Sequence, residues 1–176
     1  MKAPLGSDLP VLLEASRIET RVAELAAQLS SDYAGRTPHL VGVLKGAWVF
    51  MADLVRCLTV PCTVDFLSIQ SYGSAAVSSG EVKITKDLDL SIEGRDVLVV
   101  EDILDTGRTF SYLQEVFAAH RPASLRLVAL LDKQSRRVMP VQADYVGFPI
   151  PDVFVVGYGL DFDQKHRNLP DIRYIP

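Results

Sequence analysis

The chain has 176 residues, 48% of them hydrophobic, which suits a single domain (1–176) with a sizeable core. A formal net charge of −4 argues against a surface built for nucleic acid or for an anionic membrane. No apolar run is long enough for a membrane-spanning helix. The segment Met1 to Pro10 lacks a basic-then-apolar signal pattern, so a cytoplasmic protein is expected.

Ser16 followed by Glu19 matches a capping box. It precedes an amphipathic helix whose apolar face is Ile18, Val22, Leu25, Ala26 and Leu29, ending near Gly35. His39 to Leu44 reads as a strand and Ala47 to Leu58 as the helix after it. Cys57 and Cys62 have no histidine partners nearby, so buried reduced thiols are expected rather than a zinc site or a disulfide. Thr63 to Gln70 alternates as a strand does. Tyr72 to Gly80, rich in Gly, Ser and Ala, reads as a long mobile loop, with a returning strand over Glu81 to Lys86. Val97 to Val100 is an apolar β-branched run, suited to a strand buried on both faces. Phe110 to Ala119 has helical spacing. Leu125 to Leu131, Tyr145 to Phe148 and Val153 to Val156 read as further strands. Strands alternating with helices predict an α/β fold: a mainly parallel twisted sheet with helices on both faces. The chain ends and the Tyr72–Gly80 loop are the expected additions, forming a small hood.

The run VLVVEDILDTGRTF, from Val97 to Phe110, carries the most chemistry. Two acids, Glu101 and Asp102, sit where the predicted strand ends, and Asp105-Thr106-Gly107-Arg108-Thr109 forms a donor-rich turn before a helix. Gly107 lets the backbone approach a ligand closely, so N–H groups and the hydroxyls of Thr106 and Thr109 can surround a phosphate at a helix N-terminus. Glu101 and Asp102 can accept hydrogen bonds from vicinal ribose hydroxyls or hold a bridging magnesium ion. A plain strand-to-helix connection, capped by Asp105 or Thr109, is the ordinary alternative for a lone Asp-Thr-Gly. The full run is far more specific, and no GxxxxGK[ST] or GxGxxG competes with it.

This run closely resembles the signature with which type I phosphoribosyltransferases bind phosphoribosyl pyrophosphate (PRPP). Leu44-Lys45-Gly46-Ala47, Ser71-Tyr72-Gly73, Leu131-Asp132-Lys133 and the stretch IPDVFVVGYGLDFDQKHRNL, from Ile150 to Leu169, extend the likeness. In this order they resemble the hypoxanthine and hypoxanthine-guanine phosphoribosyltransferases, over about Leu40 to Leu169. The resemblance implies transfer of the phosphoribosyl group of PRPP to a 6-oxopurine, giving the nucleoside monophosphate and pyrophosphate.

It also implies roles. Glu101, Asp102 and Asp161 would hold Mg2+. Lys45, Gly46 and Arg167 would meet pyrophosphate, and Asp105 to Thr109 the ribose phosphate. Lys133 only donates, so it suits the exocyclic oxygen of a 6-oxopurine and mismatches adenine. Phe154 would stack on the base, the Val155 backbone would meet its Watson–Crick edge, and Asp161 would also border the purine. Asp105 would exchange a proton with N7. Ser71 and Tyr72 would open a loop that closes over the site. A non-proline cis peptide is expected between Leu44 and Lys45, and a homodimer or homotetramer packed through the following helix.

Departures from the family pattern are His166, where an aromatic is usual, Arg108 for the common lysine, and the tail Asp171 to Pro176. Each residue also has an ordinary alternative: Lys45 or Lys133 a solvated cation, Phe154 core, Asp161 and Arg167 a surface ion pair. Xanthine- or guanine-preferring relatives and PRPP-sensing regulators share the pattern, though a regulator would need a basic face or a DNA-binding addition that this chain lacks.

Overall fold

The structure is a computed structural model that describes residues 8–71 and 82–176. Its centre is a six-stranded sheet in the order β4-β3-β2-β5-β6-β7. The strands are β2 (His39–Leu44), β3 (Thr63–Ser71), β4 (Val82–Lys86), β5 (Asp96–Leu104), β6 (Ser124–Asp132) and β7 (Tyr145–Pro149). All neighbours are parallel except β4, which runs antiparallel to β3 and closes one edge. Ser71 pairs with Val82 at the base of the predicted loop. Tyr72 and the rest of that loop lie outside the described residues.

Burial on both faces follows from the period-two geometry of the strands. Leu40, Leu98, Val100, Val128 and Leu130 face α1 (Ala15–Asp32) and α2 (Trp48–Cys57), where Ile18, Val22, Leu25, Leu29, Phe50, Met51 and Leu54 complete one core. Their neighbours Val41, Val97, Val99, Leu127 and Ala129 face α3 (Arg108–Ala119), meeting Phe110, Leu113 and Phe117 in a second core.

A second sheet, ordered β1-β9-β8, joins β1 (Val11–Leu13), β9 (Ile172–Ile175) and β8 (Phe154–Val156) by antiparallel pairs. It is the hood expected from the chain ends. Val155, Leu160 and Ile172 tie it into the first core.

Two local expectations need correction. The first helix starts at Ala15 with Glu14 at its N-cap, whose carbonyl accepts from Arg17 N (3.0 Å) and Ile18 N (3.1 Å). Ser16 is therefore inside the first turn, not a cap: β1 runs to Leu13 and fixes where the helix can begin. The strand carrying the acids does not end at them. It continues to Leu104 because β6 pairs with it as far as Asp132.

Asp65 anchors the return from β4. Its carboxylate accepts from Phe66 N (2.7 Å), Asp89 N (2.8 Å) and Leu90 N (3.1 Å), with Lys86 Nζ at 3.8 Å. Burial pushes this carboxyl up, but the three N–H donors and the Lys86 charge together hold it below its ordinary value. A depressed carboxyl stabilises the fold above its unfolded pKa, near 3.9, and loses that contribution as pH falls further. Asp65→Ala is expected to cost roughly 1–3 kcal/mol at pH 7 by stranding two or more donors. In urea titrations its deficit relative to wild type should shrink below about pH 4; a deficit independent of pH would contradict this account.

Candidate active site

Parallel strands deliver their carboxyl ends to one rim, and the turns after β2, β5 and β6 meet there. The peptide between Leu44 and Lys45 is cis, as the resemblance implied. Gly46 sits against Asp102 so closely that a Cβ would overlap the carboxylate. A Cβ on Gly159, whose φ is +101°, would likewise overlap the Gly46 carbonyl. The β2 turn is thus sandwiched between β5 and the turn that follows β8.

The turn between β5 and α3 is well defined. Gly107 has φ +83° and caps α3; a Cβ there would lie 2.5 Å from Val141 Cγ2. Both the left-handed backbone and the close approach require glycine. Thr106 Oγ1 accepts from Arg108 N at 3.4 Å, and the Thr106 carbonyl receives Val138 N (2.9 Å) and Met139 N (3.0 Å). Arg108, exposed, and Thr109, half-buried, form the first turn of the helix. That end presents N–H groups and partial positive charge, as phosphate binding needs.

The residues expected to read the base come from the end of β6 and from the hood. Lys133 is buried, with Nζ 3.9 Å from Asp152 Oδ1. Its backbone N donates to the Leu104 carbonyl at 3.0 Å, setting it beside the end of β5. Phe154 is not core: its ring is 51% exposed and packs edge-to-face on Phe162, itself exposed, with centroids 5.5 Å apart. Val155 is buried in β8, an edge strand whose outer backbone groups have no strand partner among the described residues. Asp105 Oδ1 is buried without a hydrogen bond, although Arg136 Nε lies 3.2 Å away at an unsuitable angle. Arg136 Nη1 also approaches Asp152 Oδ1 at 3.7 Å.

Opposite these residues is a cationic group. Arg167 pairs with Asp161 Oδ1 (2.7 Å) and donates to the Gly159 carbonyl (2.8 Å). Gln164 Oε1 accepts from Arg167 Nη2 (3.3 Å) and Lys45 Nζ (3.4 Å), and Asp161 Oδ2 accepts from Gln164 N (2.8 Å). Arg136, Asp152, Phe162 and Gln164 escaped the sequence reading. Only Phe162 carried a local signal, as an aromatic beside Asp161.

The carboxylates expected to hold a metal are Glu101, Asp102 and Asp161. Glu101 and Asp102 are neighbours near the end of β5. No group of three His, Cys, Asp or Glu capable of holding a metal forms among the described residues. Asp102 faces the Gly46 turn, whereas Glu101 is 5% exposed. A magnesium ion that keeps its waters and takes one or two carboxylates plus substrate oxygens still fits Asp102, with Asp161 near it.

Burial raises the Glu101 carboxyl well above its ordinary range, and the Asp102 charge adds to this. Burial also pushes Asp102 from 3.8 up to about 6; the N–H groups of Ile103 and Asp102 and the Arg167 charge oppose the rise, while Asp161 adds to it. A raised carboxyl makes the native state bind more protons than the unfolded one, so stability falls as pH rises from about 4 to about 6. Asp102→Asn removes the ionisable group while keeping its shape. It is expected to stabilise the free protein by roughly 1–3 kcal/mol at pH 8, a gain that fades below pH 6 and vanishes near pH 4. Thermal unfolding across that range checks the sign; a variant less stable than wild type at pH 8 would refute it.

A family model described as "Phosphoribosyl transferase domain" matches residues 11–163. The hypoxanthine-guanine phosphoribosyltransferase of Bacillus subtilis is 52% identical over 92% of this chain and 90% of its own length. That of Streptococcus thermophilus is 49% identical over 91% and 89%. The crystal structure of a hypoxanthine phosphoribosyltransferase from Staphylococcus aureus superposes with a TM-score of 0.94 at 45% identity, covering 100% of this chain and 96% of that one. The chain belongs to the phosphoribosyltransferase family.

Proposed function

We propose that this protein transfers the phosphoribosyl group of PRPP to a 6-oxopurine, hypoxanthine and also guanine, releasing pyrophosphate and the purine nucleoside monophosphate for purine salvage. The observation that carries the reading is the buried Lys133 ammonium and the Asp105 carboxylate at adjacent strand ends, with Asp105 Oδ1 accepting no hydrogen bond and Arg136 Nε 3.2 Å from it. One can donate to the exocyclic oxygen of the base, the other can take a proton from its neighbouring ring nitrogen. The exposed Phe154 ring offers the stacking face.

In the reaction the purine N9 forms a bond to the anomeric carbon as the bond to pyrophosphate breaks, and the proton on N7 passes to Asp105. The sugar passes through an oxocarbenium-like transition state like that of glycosidases. Thr106, Gly107, Arg108 and Thr109 hold the ribose phosphate, and Lys45, Gly46 and Arg167 receive the departing charge. A divalent metal, magnesium in this reading, would be held beside Asp102 and Asp161 and would supply positive charge to the leaving group. Lys45 and Arg167 already share Gln164 Oε1, a point of convergence for an anionic oxygen.

The partner assigned to α2 is a second copy of this chain, giving a homodimer or homotetramer. Trp48 is half exposed there, beside a groove of about 730 Å³ lined by Val49, Asp53, Arg56 and Cys57. Cys57 is exposed and Cys62 half-buried, not the buried thiols expected; both are free, which suits a reducing, cytoplasmic setting, and no helix among the described residues is long and apolar enough to cross a membrane.

Initial rates with PRPP, magnesium and each of hypoxanthine, guanine, xanthine and adenine test the function. Turnover is expected with the first two and not with adenine; absence of pyrophosphate release with every 6-oxopurine would end the proposal. Asp105→Asn should lower kcat by about a hundredfold or more while calorimetry finds PRPP binding little changed. Wild-type turnover in that variant would make Asp105 a structural member of the turn.

A further inference from the structure

Arg137 is used by none of the roles above, yet it is the most heavily engaged guanidinium at the rim. Its Nε donates to the Asp105 carbonyl (3.0 Å), Nη2 to the Leu104 carbonyl (3.2 Å) and Nη1 to the Val141 carbonyl (2.6 Å). Nη2 also pairs with the Asp132 carboxylate. The side chain is 15% exposed. Its stem lies against Gly107, where a Cβ would approach Arg137 Cδ to 3.0 Å.

We infer that Arg137 is the positioning residue that fixes the separation of Asp105 from Lys133, and thereby sets how the enzyme grips the O6–N7 edge of the purine. The inference rests on the proposed roles of those two residues. O6 and N7 are neighbours on one edge of a 6-oxopurine, so an acceptor for the N7 proton and a donor to O6 must be held at one spacing. Asp105 follows the end of β5 and Lys133 the end of β6, one residue beyond the last ladder pair, Leu104 with Asp132. Arg137 binds the backbone of Asp105 directly. It binds the carboxylate of Asp132, the residue before Lys133, with the same planar group. The Lys133 N–H bond to the Leu104 carbonyl closes the ring, since Leu104 is also an Arg137 acceptor. A rigid fork can span these oxygens at once, whereas a lysine offers one charge on a flexible stem. The effect is selective for N7, because what Arg137 holds most directly is the Asp105 backbone.

Arg137→Lys is compared with wild type by two measurements: kcat/KM for hypoxanthine, and the competitive Ki of 7-deazahypoxanthine, which has a C–H in place of N7. The expected result is a loss of roughly tenfold or more in kcat/KM with Ki changed less than about threefold, since misplacement by an ångström is enough to produce such losses. Parallel losses in both would show a merely structural role and overturn the inference. Asp132→Asn, which removes only the charged partner of Arg137, should shift the ratio in the same direction by less, and serves if Arg137→Lys does not fold. No shift in that variant also counts against the inference. Asp105→Asn is the control for the underlying reading. If it spares kcat/KM for hypoxanthine, the N7 role of Asp105 fails, and the inference falls with it for a reason distinct from any defect in Arg137.

Discussion

A sheet covered on both faces has room for polar chemistry only at its strand ends, and this constraint governs everything else in the molecule. Val97, Leu98, Val99 and Val100 fill two separate cores from one strand, so no side chain along that stretch is available to a ligand. The chain becomes polar where β5 nears the rim. There the change is abrupt: Glu101 is still enclosed, Asp102 meets the Gly46 turn, and Asp105 begins the phosphate turn. The helices contribute mainly by packing, and α3 also lends its N-terminus to the turn.

The rim is divided by charge. On one side Lys45, Arg167 and Gln164 surround the place where a polyanion fits, with Asp161 balancing Arg167. On the other, Lys133, Arg136, Asp152 and Asp105 form a chain of alternating sign around a flat aromatic surface. The two halves call for different partners: a multiply charged phosphate that exchanges protein ion pairs for its own, and a neutral ring that needs one donor and one acceptor. Burial raises the proton affinity of both Glu101 and Asp102, and at Asp102 the Arg167 charge opposes the rise. Such a site gains from a cation that arrives with the substrate.

Much of this was legible in the sequence because it is locally encoded. The strand His39–Leu44, the helix after it and the glycine at 107 follow from apolar period and backbone conformation alone. What was not legible depends on pairing across the chain. β1 and β9 are three and four residues long and exist because they pair with each other over some 160 positions. Ser16 carried a valid capping pattern that the hood strand displaced. The strand that carries the acids at 101 and 102 runs on to Leu104 because it continues to pair with β6. Arg136, Arg137, Asp152 and Gln164 have no motif of their own; each matters through a partner distant in sequence or across a turn.

The hood gives the protein an order of assembly. The strand bearing Phe154 lies at the edge of its small sheet, and its strand support comes from β9, while β9 in turn leans on β1. During synthesis the large sheet can close as soon as β7 has emerged, complete with its phosphate turn. The stacking surface has no neighbouring strand until Ile172–Ile175 appears, when the earliest strand is finally engaged. The Phe154 strand therefore gains its strand support only when the C-terminal strand has been made.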